Sequence, residues 1–461
     1  GFSNAILTQF SLAVCALVGR LKAWPMVSLV PTLRGALDGS PILLELLTLL
    51  PEEIGSNHLA LGSDLLDEVR EQLCSSAAPA VVELCLATLG AADGGAAALR
   101  CLAAWAKGSI LPWPTLAPAM DASIAATRAA TELAPLQAGC DLLVAAAEAD
   151  WEGDRSATSF GGGRHLSAAL ALRPTFEAAS AQAAHAAGSP HGAAPVDVAA
   201  ALAGLYGSVG SCHLRRDTGE RGGDAPPPAA TAPEFAPLLE LMLGALAHPS
   251  PEVVLPAVQF WARDAHLGDA SVLCSHAAAT RPLVAALVAA CEFPPAFEAR
   301  ADLWDGYIEK KIEVRAAAAA VVAELLPSPP LLEAAGWLVE TAATEAAALL
   351  SVADPLGPLL PLTDGQVLPP AALPPSDALP WRRLEATLHT LAALAPTVGA
   401  DAAASAQLRQ STALARLLES LPDADLQLGL WLVGGLDDVT NGFWDDAIAE
   451  LVNFVRWAAP R

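Results

Sequence analysis

Apolar side chains recur along this chain three and four residues apart, in short blocks punctuated by Pro and Gly. The spacing predicts successive helices over residues 5–20, 26–38, 41–50, 64–74, 79–90 and 95–107, and onward in the same rhythm. Within 41–50, Ile42, Leu46 and Leu49 form one stripe and Leu43, Leu47 and Leu50 an adjoining one, leaving Glu45, Thr48 and Glu52 for the remaining side. A helix so patterned is buried on most of its circumference. Alternation at period two, the signature of a half-buried strand, is not sustained over useful lengths, and the abundant Ala and Leu are strong helix formers. The chain therefore reads as essentially all-α.

Helix follows helix with little between, over 461 residues, more than one compact core of ordinary size needs. Antiparallel helix pairs that bury their apolar faces against neighbouring pairs satisfy both facts. The expected fold is an α-α superhelix, a HEAT/armadillo-like solenoid of antiparallel helix pairs. At about 40 residues per pair, roughly ten or eleven pairs would fit. RDTGERGGDAPPPAATAP and the Pro-rich run from Ser351 are too rich in Pro and Gly for continuous helix. They divide the chain into helical repeats at 1–215, a loop at 216–233, repeats at 234–350, a Pro-rich loop at 351–379 and repeats at 380–461. A third irregular stretch, 152–165, reads as a surface loop between helices.

Charge narrows the partners. Asp and Glu number 50 against 25 Lys and Arg, and a net charge of −25 repels a phosphate backbone, so direct nucleic-acid binding is not expected. The same excess suits basic proteins, and equally a well-solvated surface. Cys15, Cys74, Cys85, Cys101, Cys140, Cys212, Cys274 and Cys291 lie mostly inside apolar helical patterns with no CxxC pair, as reduced core residues would. AILTQFSLAVCALVG lacks a basic n-region and is interrupted by Thr8, Gln9 and Ser11; a core helix is expected there, and no membrane insertion.

Catalytic signatures are missing: the sequence holds no P-loop, no GxGxxG after a strand, no GxSxG elbow and no HExxH. Cys212 with His213 and Cys274 with His276 approach metal spacing but lack the second ligand pair of a zinc site. No catalytic residue, cofactor or metal is therefore expected.

Several segments resemble the importin-beta superfamily, and in particular its transportin-SR branch. PILLELLTLLPEEIGSNHLALG at 41–62 carries the resemblance best, with its leucine-rich helix, the break at Pro51-Glu52-Glu53 and the loop after it. CLAAW at 101–105 followed by Gly108 and Leu111, HPSPEVVLPAVQFW at 248–261, and PWRRLEATLHTLAALAPTV from Pro380, with Trp381, Glu385 and Ala386 in register, follow in the same order. The resemblance implies a nuclear transport receptor that shuttles between cytoplasm and nucleus, with Ran-GTP, FG nucleoporins and serine/arginine-rich splicing factors as partners. It also implies that the chain starts after the family's first helices, where much of the Ran contact lies, and stops before the family's arginine-rich cargo helix. The runner-up is a helical scaffold that assembles a complex without transport, since the fold alone serves many binding roles.

The residues themselves offer two kinds of candidate. Glu52, Glu53, Asp64, Asp67, Glu68 and Glu71, with Glu45, stand against the single base Arg70 within 45–71, and form a candidate acidic protein-binding patch. Asp437, Asp438, Asp445, Asp446 and Glu450 make a second acidic group. Solvated helix ends would look the same. Trp105, Trp261 and Trp381 have the hot-spot chemistry of an interface, but helical spacing favours packing between repeats. In the 248–261 segment, Ser250 is expected to cap a helix opened by Pro251, with Val254, Val258 and Trp261 facing the core and Pro256 kinking it.

Overall fold

The computed structural model describes residues 26–37, 40–55, 63–90, 94–108, 110–111, 113–130, 132–153, 164–185, 193–218, 235–265, 277–292, 304–324, 328–351, 380–400, 406–408 and 410–420, with isolated helical positions between 9 and 17. Among them there is no strand. The helices are α1 (Met26–Leu37), α2 (Pro41–Gly55), α3 (Ser63–Gln72), a π-turn (Leu73–Ala77), α4 (Ala78–Leu89), α5 (Gly95–Lys107), α6 (Trp113–Ala129), α7 (Leu133–Gly153), α8 (Arg164–Leu170), α9 (Arg173–His185) and α10 (Ala193–Thr218). Then come α11 (Phe235–Leu246), α12 (Pro251–Ala265), α13 (Ala277–Cys291), α14 (Trp304–Glu324), α15 (Ser328–Ser351) and α16 (Pro380–Ala400).

The chain divides into two compact units. Unit 1 comprises Gly1–Ala183, His191–Gly219 and Thr231–Leu238, and unit 2 comprises Ala184–Pro190, Glu220–Ala230 and Leu239–Arg461. In unit 1 the second helix of each pair packs on that of the next, α2 on α5, α5 on α7 and α7 on α10, while α4 packs on α5 within its pair and on α6 beside it. In unit 2 the same scheme joins α12 to α14 and α14 to α16, with α13 packed on α14 and α16 and more lightly on α15, and α15 against α16. Each helix meets near neighbours along the chain, which is how a stack of helix pairs buries its faces. The all-α helical-repeat architecture expected from the sequence is the one observed.

The spacing is wider than expected. The second helices begin at residues 41, 95, 133, 193, 251, 304 and 380, so successive starts lie more than about 40 residues apart at every step except from α5 to α7. Long helices such as α10, with 26 residues, and α15, with 24, account for part of this. Among the described residues the pairs are accordingly fewer than ten.

Boundaries also shift for identifiable reasons. The blocks at 64–74 and 79–90 are one continuous helical run, because a π-turn at Leu73–Ala77 inserts an extra residue without ending the ladder. α2 runs through Pro51 to Gly55 instead of breaking there. α10 stays helical to Thr218, beyond the expected start of the loop at 216, and α11 begins at Phe235. The remainder of that loop, the Pro-rich 352–379 and the 154–163 stretch lie outside the described residues, as do Trp381's side chain and most of 5–20. By length and composition the 27-residue run Ser63–Leu89 would reach across a bilayer. Its α4 half contains Pro79 and packs on α5 and α6 as a core helix does.

The most informative junction in unit 1 joins α2 to α5. Pro51 has no N–H, so the carbonyl of Leu47, four residues earlier, loses its partner within the helix. The Trp105 indole fills that vacancy: its Nε1–H donates to the Leu47 carbonyl at 2.7 Å, with both residues fully buried. At the end of α5, Gly108 lies where a Cβ would come within 3.3 Å of the Pro51 Cβ, so a bare backbone lets the two helices close up. Contacts at 47 with 105 and at 51 with 108 make the two helices run parallel, as second helices of consecutive pairs do. Leu43, Leu44, Leu46, Leu47, Leu50 and Ile54 are buried, Ile42, Glu45, Thr48 and Leu49 half-buried and Glu52 exposed, so the helix is covered on most of its circumference, with Leu44 added to the two expected stripes.

The α6–α7 hairpin is closer still. A Cβ on Gly139 would collide with the side chain of Thr127, whose Oγ1 donates to the Ser123 carbonyl at 2.7 Å. Cys85, Cys101, Cys140, Cys212 and Cys291 are free and buried, and Cys74 is half-buried, as reduced core thiols. The Cys85 thiol is held above its ordinary pKa by its hydrogen bond with Cys101 and by burial.

Trp105→Phe is expected to strand the Leu47 carbonyl in the core and loosen α2 and α5 by about 1–3 kcal/mol. In a Pro51→Ala background the backbone N–H restored at position 51 can reach the same carbonyl, so the substitution should cost measurably less. Hydrogen exchange of the α2 and α5 amides, followed by mass spectrometry, checks this; equal costs in both backgrounds would refute the carbonyl's role.

Candidate protein-binding surfaces

The candidate acids lie on two helices. Asp64, Asp67, Glu68 and Glu71 recur at the spacing of one α3 face and are all exposed, whereas Val69, on the opposite side, is the helix's buried residue. Asp64 sits in the first turn, where the helix dipole favours a carboxylate, and accepts a hydrogen bond from Ser63 Oγ at 3.2 Å. Gln72 Nε2 donates to Glu68 Oε1 at 3.3 Å one turn on. Arg70 is exposed but points off this face. α3 continues directly into the π-turn, which itself packs on α1. Glu52, exposed, and Glu53, half-buried, sit on α2, whose packing partners are α1 and α5. The structure thus gathers the α3 acids into one acidic face and leaves Glu52 and Glu53 on a separate element. Asp437, Asp438, Asp445, Asp446 and Glu450 lie outside the described residues.

Two of the candidate tryptophans, Trp105 and Trp261, serve as core. Trp105 is fully buried, and Trp261 is 2% exposed beside Val254 and Val258, with Phe260 edge-on to it at 5.1 Å between ring centroids. The Ser250 cap forms as expected, its Oγ accepting from the Glu252 N–H at 3.3 Å and its hydroxyl donating to Glu252 Oε2 at 2.6 Å. Glu252 then reaches α14, accepting from Lys310 Nζ at 2.8 Å. Lys310 and Ser250 together hold its carboxyl below the ordinary range against the opposing effect of burial.

A polar junction inside unit 2 was not anticipated from the pattern. α13 ends at Cys291, leaving its last carbonyls without intrahelical donors. Lys311 Nζ donates to the Ala290 carbonyl at 2.6 Å, and Arg315 Nη1 donates to the Cys291 carbonyl. These bases, one turn apart on α14, cap a neighbouring helix instead of their own. Arg315 also grips Glu385 of α16 in a two-pronged pair, with Nη1 to Oε2 at 2.9 Å and Nη2 to Oε1. Arg315 and Glu385 are 4% and 1% exposed, so the pair is fully desolvated. Burial pushes Lys311 down to about 8 and holds His389, one turn beyond Glu385, at about 4, with the Arg315 charge adding to the effect on the histidine. Burial likewise raises the Cys291 thiol.

The available sequence signal was KKIEVR, two bases repeating at helical spacing with Val314 within an otherwise Ala-rich apolar helix. Glu385 had been singled out only as a position in register with a family segment. The arrangement is an architectural clamp: its donors and charges on α14 meet acceptors on α13 and α16. Among the described residues no three His, Cys, Asp or Glu side chains gather as metal ligands would. Cys212 is buried in α10, and Cys274 lies outside the described residues.

Glu385→Ala should leave the Arg315 charge buried and unpaired, at a cost of about 3–5 kcal/mol. Replacing Arg315 and Glu385 together by Leu is expected to cost less than the single change, although the Cys291 carbonyl then lacks its cap. Chemical denaturation monitored by circular dichroism gives both values, and a double variant no better than the single one would rule out the uncompensated charge as the cause.

Residues 3–122, about a quarter of the 461, match the family model described as exportin 1-like protein. The matched stretch holds α1 to α5, the Pro51–Trp105 junction and the acidic face of α3. It is this segment's similarity to an exportin-type protein that supports an importin-beta, karyopherin-type family for the chain.

Proposed function

We propose that this chain is part of a nuclear transport receptor of the importin-beta type, which binds protein cargo and a Ran-type GTPase and has no catalytic chemistry of its own. The observation that carries the reading is the exportin 1-like match over 3–122. That match covers the segments at 41–62 and 101–111 that carry the sequence resemblance, and in the structure their helices interlock through Trp105 and Leu47. Within this reading the chain shuttles between cytoplasm and nucleus, contacts FG nucleoporins in transit, and takes serine/arginine-rich proteins as cargo, as the transportin-SR resemblance implies. A net charge of −25 favours such basic partners.

Control would operate by negative coupling. Ran-GTP and cargo would favour different arrangements of the helix stack, so that each weakens the other by the same factor. The α3 acids would contribute steering toward a basic partner surface, an effect that salt screens.

A pull-down with Ran loaded with GTP or GDP tests the reading. GTP-selective capture, and release of an arginine/serine-repeat peptide on adding Ran-GTP, are the expected results. Capture of neither nucleotide form would sink the receptor and leave a helical scaffold.

The acidic face has its own readout. Reversing Asp64, Asp67, Glu68 and Glu71 to Lys should weaken a basic partner by about tenfold or more and flatten its salt dependence. Isothermal titration at two salt concentrations measures both. Unchanged affinity and slope would mean that the face is merely solvated.

A further inference from the structure

α14 has two faces with different chemistry. Lys311, Val314, Arg315, Ala318 and Val322 point into unit 2 and are buried. On the other side Glu309, Ile312, Glu313, Ala316, Ala320 and Glu324 are exposed. Along this outer side runs a groove of about 490 Å³, floored by Ala316, Ala319, Ala320 and Ala323 and walled by His389 and Ala393 of α16. The Arg315–Glu385 pair lies at one end, and the lining residues advance together along both helices, so α14 and α16 run parallel beneath the groove.

We propose that this groove docks an amphipathic helix of a protein partner, one that carries Lys or Arg beside its apolar face. The inference concerns unit 2 alone and stands whether or not the chain engages Ran.

Three features lead to that occupant. First, the floor is a row of methyl groups, shallow enough for a helix to approach closely and too poor in convergent polar groups to orient a small ligand. Secondly, Ile312 stands one turn before Ala316 on the same face and is 43% exposed, which gives the groove an apolar anchor that water now covers. From Ile312 to Glu324 the strip is about 18 Å long at 1.5 Å per residue, the length of about three helical turns, which suits anchors at i, i+3 or i+4, and i+7.

Thirdly, the rim is acidic. Glu309 and Glu313 flank Ile312, and neither meets a cation among the described residues; Glu324 closes the far end. The adjacent base Lys310 is already held by Glu252 at 2.8 Å, and Lys311 is buried beneath. On α16, burial and the Arg315 charge hold His389 at about 4, so at neutral pH it contributes no positive charge to the wall. An acidic rim around an apolar floor selects a helix with basic flanks and repels one with acidic flanks.

The test uses the full chain and a fluorescein-labelled synthetic peptide of about 14 residues, long enough to cover the strip, with a Leu face and Lys flanks. Fluorescence anisotropy should give a dissociation constant of about 1–100 µM, and the same peptide with Glu flanks should not bind. Ala320→Trp fills the groove from an exposed position and should weaken binding at least about tenfold with the thermal melt unchanged. Ile312→Asp, also at an exposed position, serves the same purpose if the tryptophan variant melts lower. Glu309→Lys with Glu313→Lys should weaken binding and flatten its salt dependence. The proposal is overturned if the wild-type chain does not bind the Lys-flanked peptide, if binding survives both groove substitutions, or if light scattering shows a dimer that Ala320→Trp dissolves, which would make a second copy the occupant.

Discussion

A helix carbonyl that its own helix cannot satisfy has to be satisfied by something else once it is buried, and in this protein the something else is a side chain of the adjoining helix. An unmet buried acceptor costs about 1–3 kcal/mol, so such a position fixes which helix must lie beside it and in what register. At α2 the cause is Pro51, which removes the donor for Leu47, and the remedy is the Trp105 indole from α5 at 2.7 Å. The geometry is one-to-one: an indole has a single N–H, and moving α5 by one residue would aim it at no acceptor. Gly108 completes the match by leaving room for the proline ring. Apolar packing of Leu46, Leu47 and Leu50 supplies the driving force, but packing tolerates sliding, and this hydrogen bond does not.

In unit 2 the same need arises at a helix end. α13 presents its last carbonyls to α14, and Lys311 and Arg315 meet those of Ala290 and Cys291. Bringing two cations into a core is costly, and the attraction between a buried pair often only offsets its desolvation. Arg315 answers that cost by engaging the carboxylate of Glu385 through two donors while it caps Cys291. A hydrophobic substitute would pack as well but would leave the carbonyl stranded and the order of α13, α14 and α16 less strictly defined. The desolvation is therefore intelligible as specification of neighbours in a stack whose Ala- and Leu-rich faces otherwise resemble one another.

Much of the architecture was legible in the sequence because helical periodicity, Ser and Pro at helix starts, and the near absence of strand pattern all point the same way. Burial of Val254, Val258 and Trp261, and the Ser250 cap, followed from local rules alone. Pro51 was misread as a break, since the rule that proline ends a helix takes no account of a donor arriving from a residue 58 positions away. The π-turn was invisible for a related reason: an extra residue in a continuous ladder looks in sequence like a phase shift between two helices. Of the candidate site, the α3 acids could be placed on one face by spacing, but nothing local says which helix stands next to Glu52 and Glu53. Lys311 and Arg315 were missed because charge in a helix ordinarily marks the solvent side, and only the tertiary partners reveal that these two face inward.

Confining the register-setting contacts to one face of each helix has a functional consequence. α14 commits its inner side to Lys311, Val314, Arg315, Ala318 and Val322, so the outer side, with Glu309, Ile312, Glu313, Ala316 and Ala320, has no structural duty within unit 2. α3 is organised alike, with Val69 inward and its acids outward. A stack of helix pairs draws its stability from nearest-neighbour interfaces, which leaves outward faces free to vary without disturbing the register beneath. Such faces can acquire charge and shape suited to a partner at little cost to folding. Because the buried contacts act only between adjoining helices, a partner that bridges several outward faces can bias how successive pairs sit without breaking any one junction, and that is the physical basis on which binding at one place in such a stack can alter affinity at another.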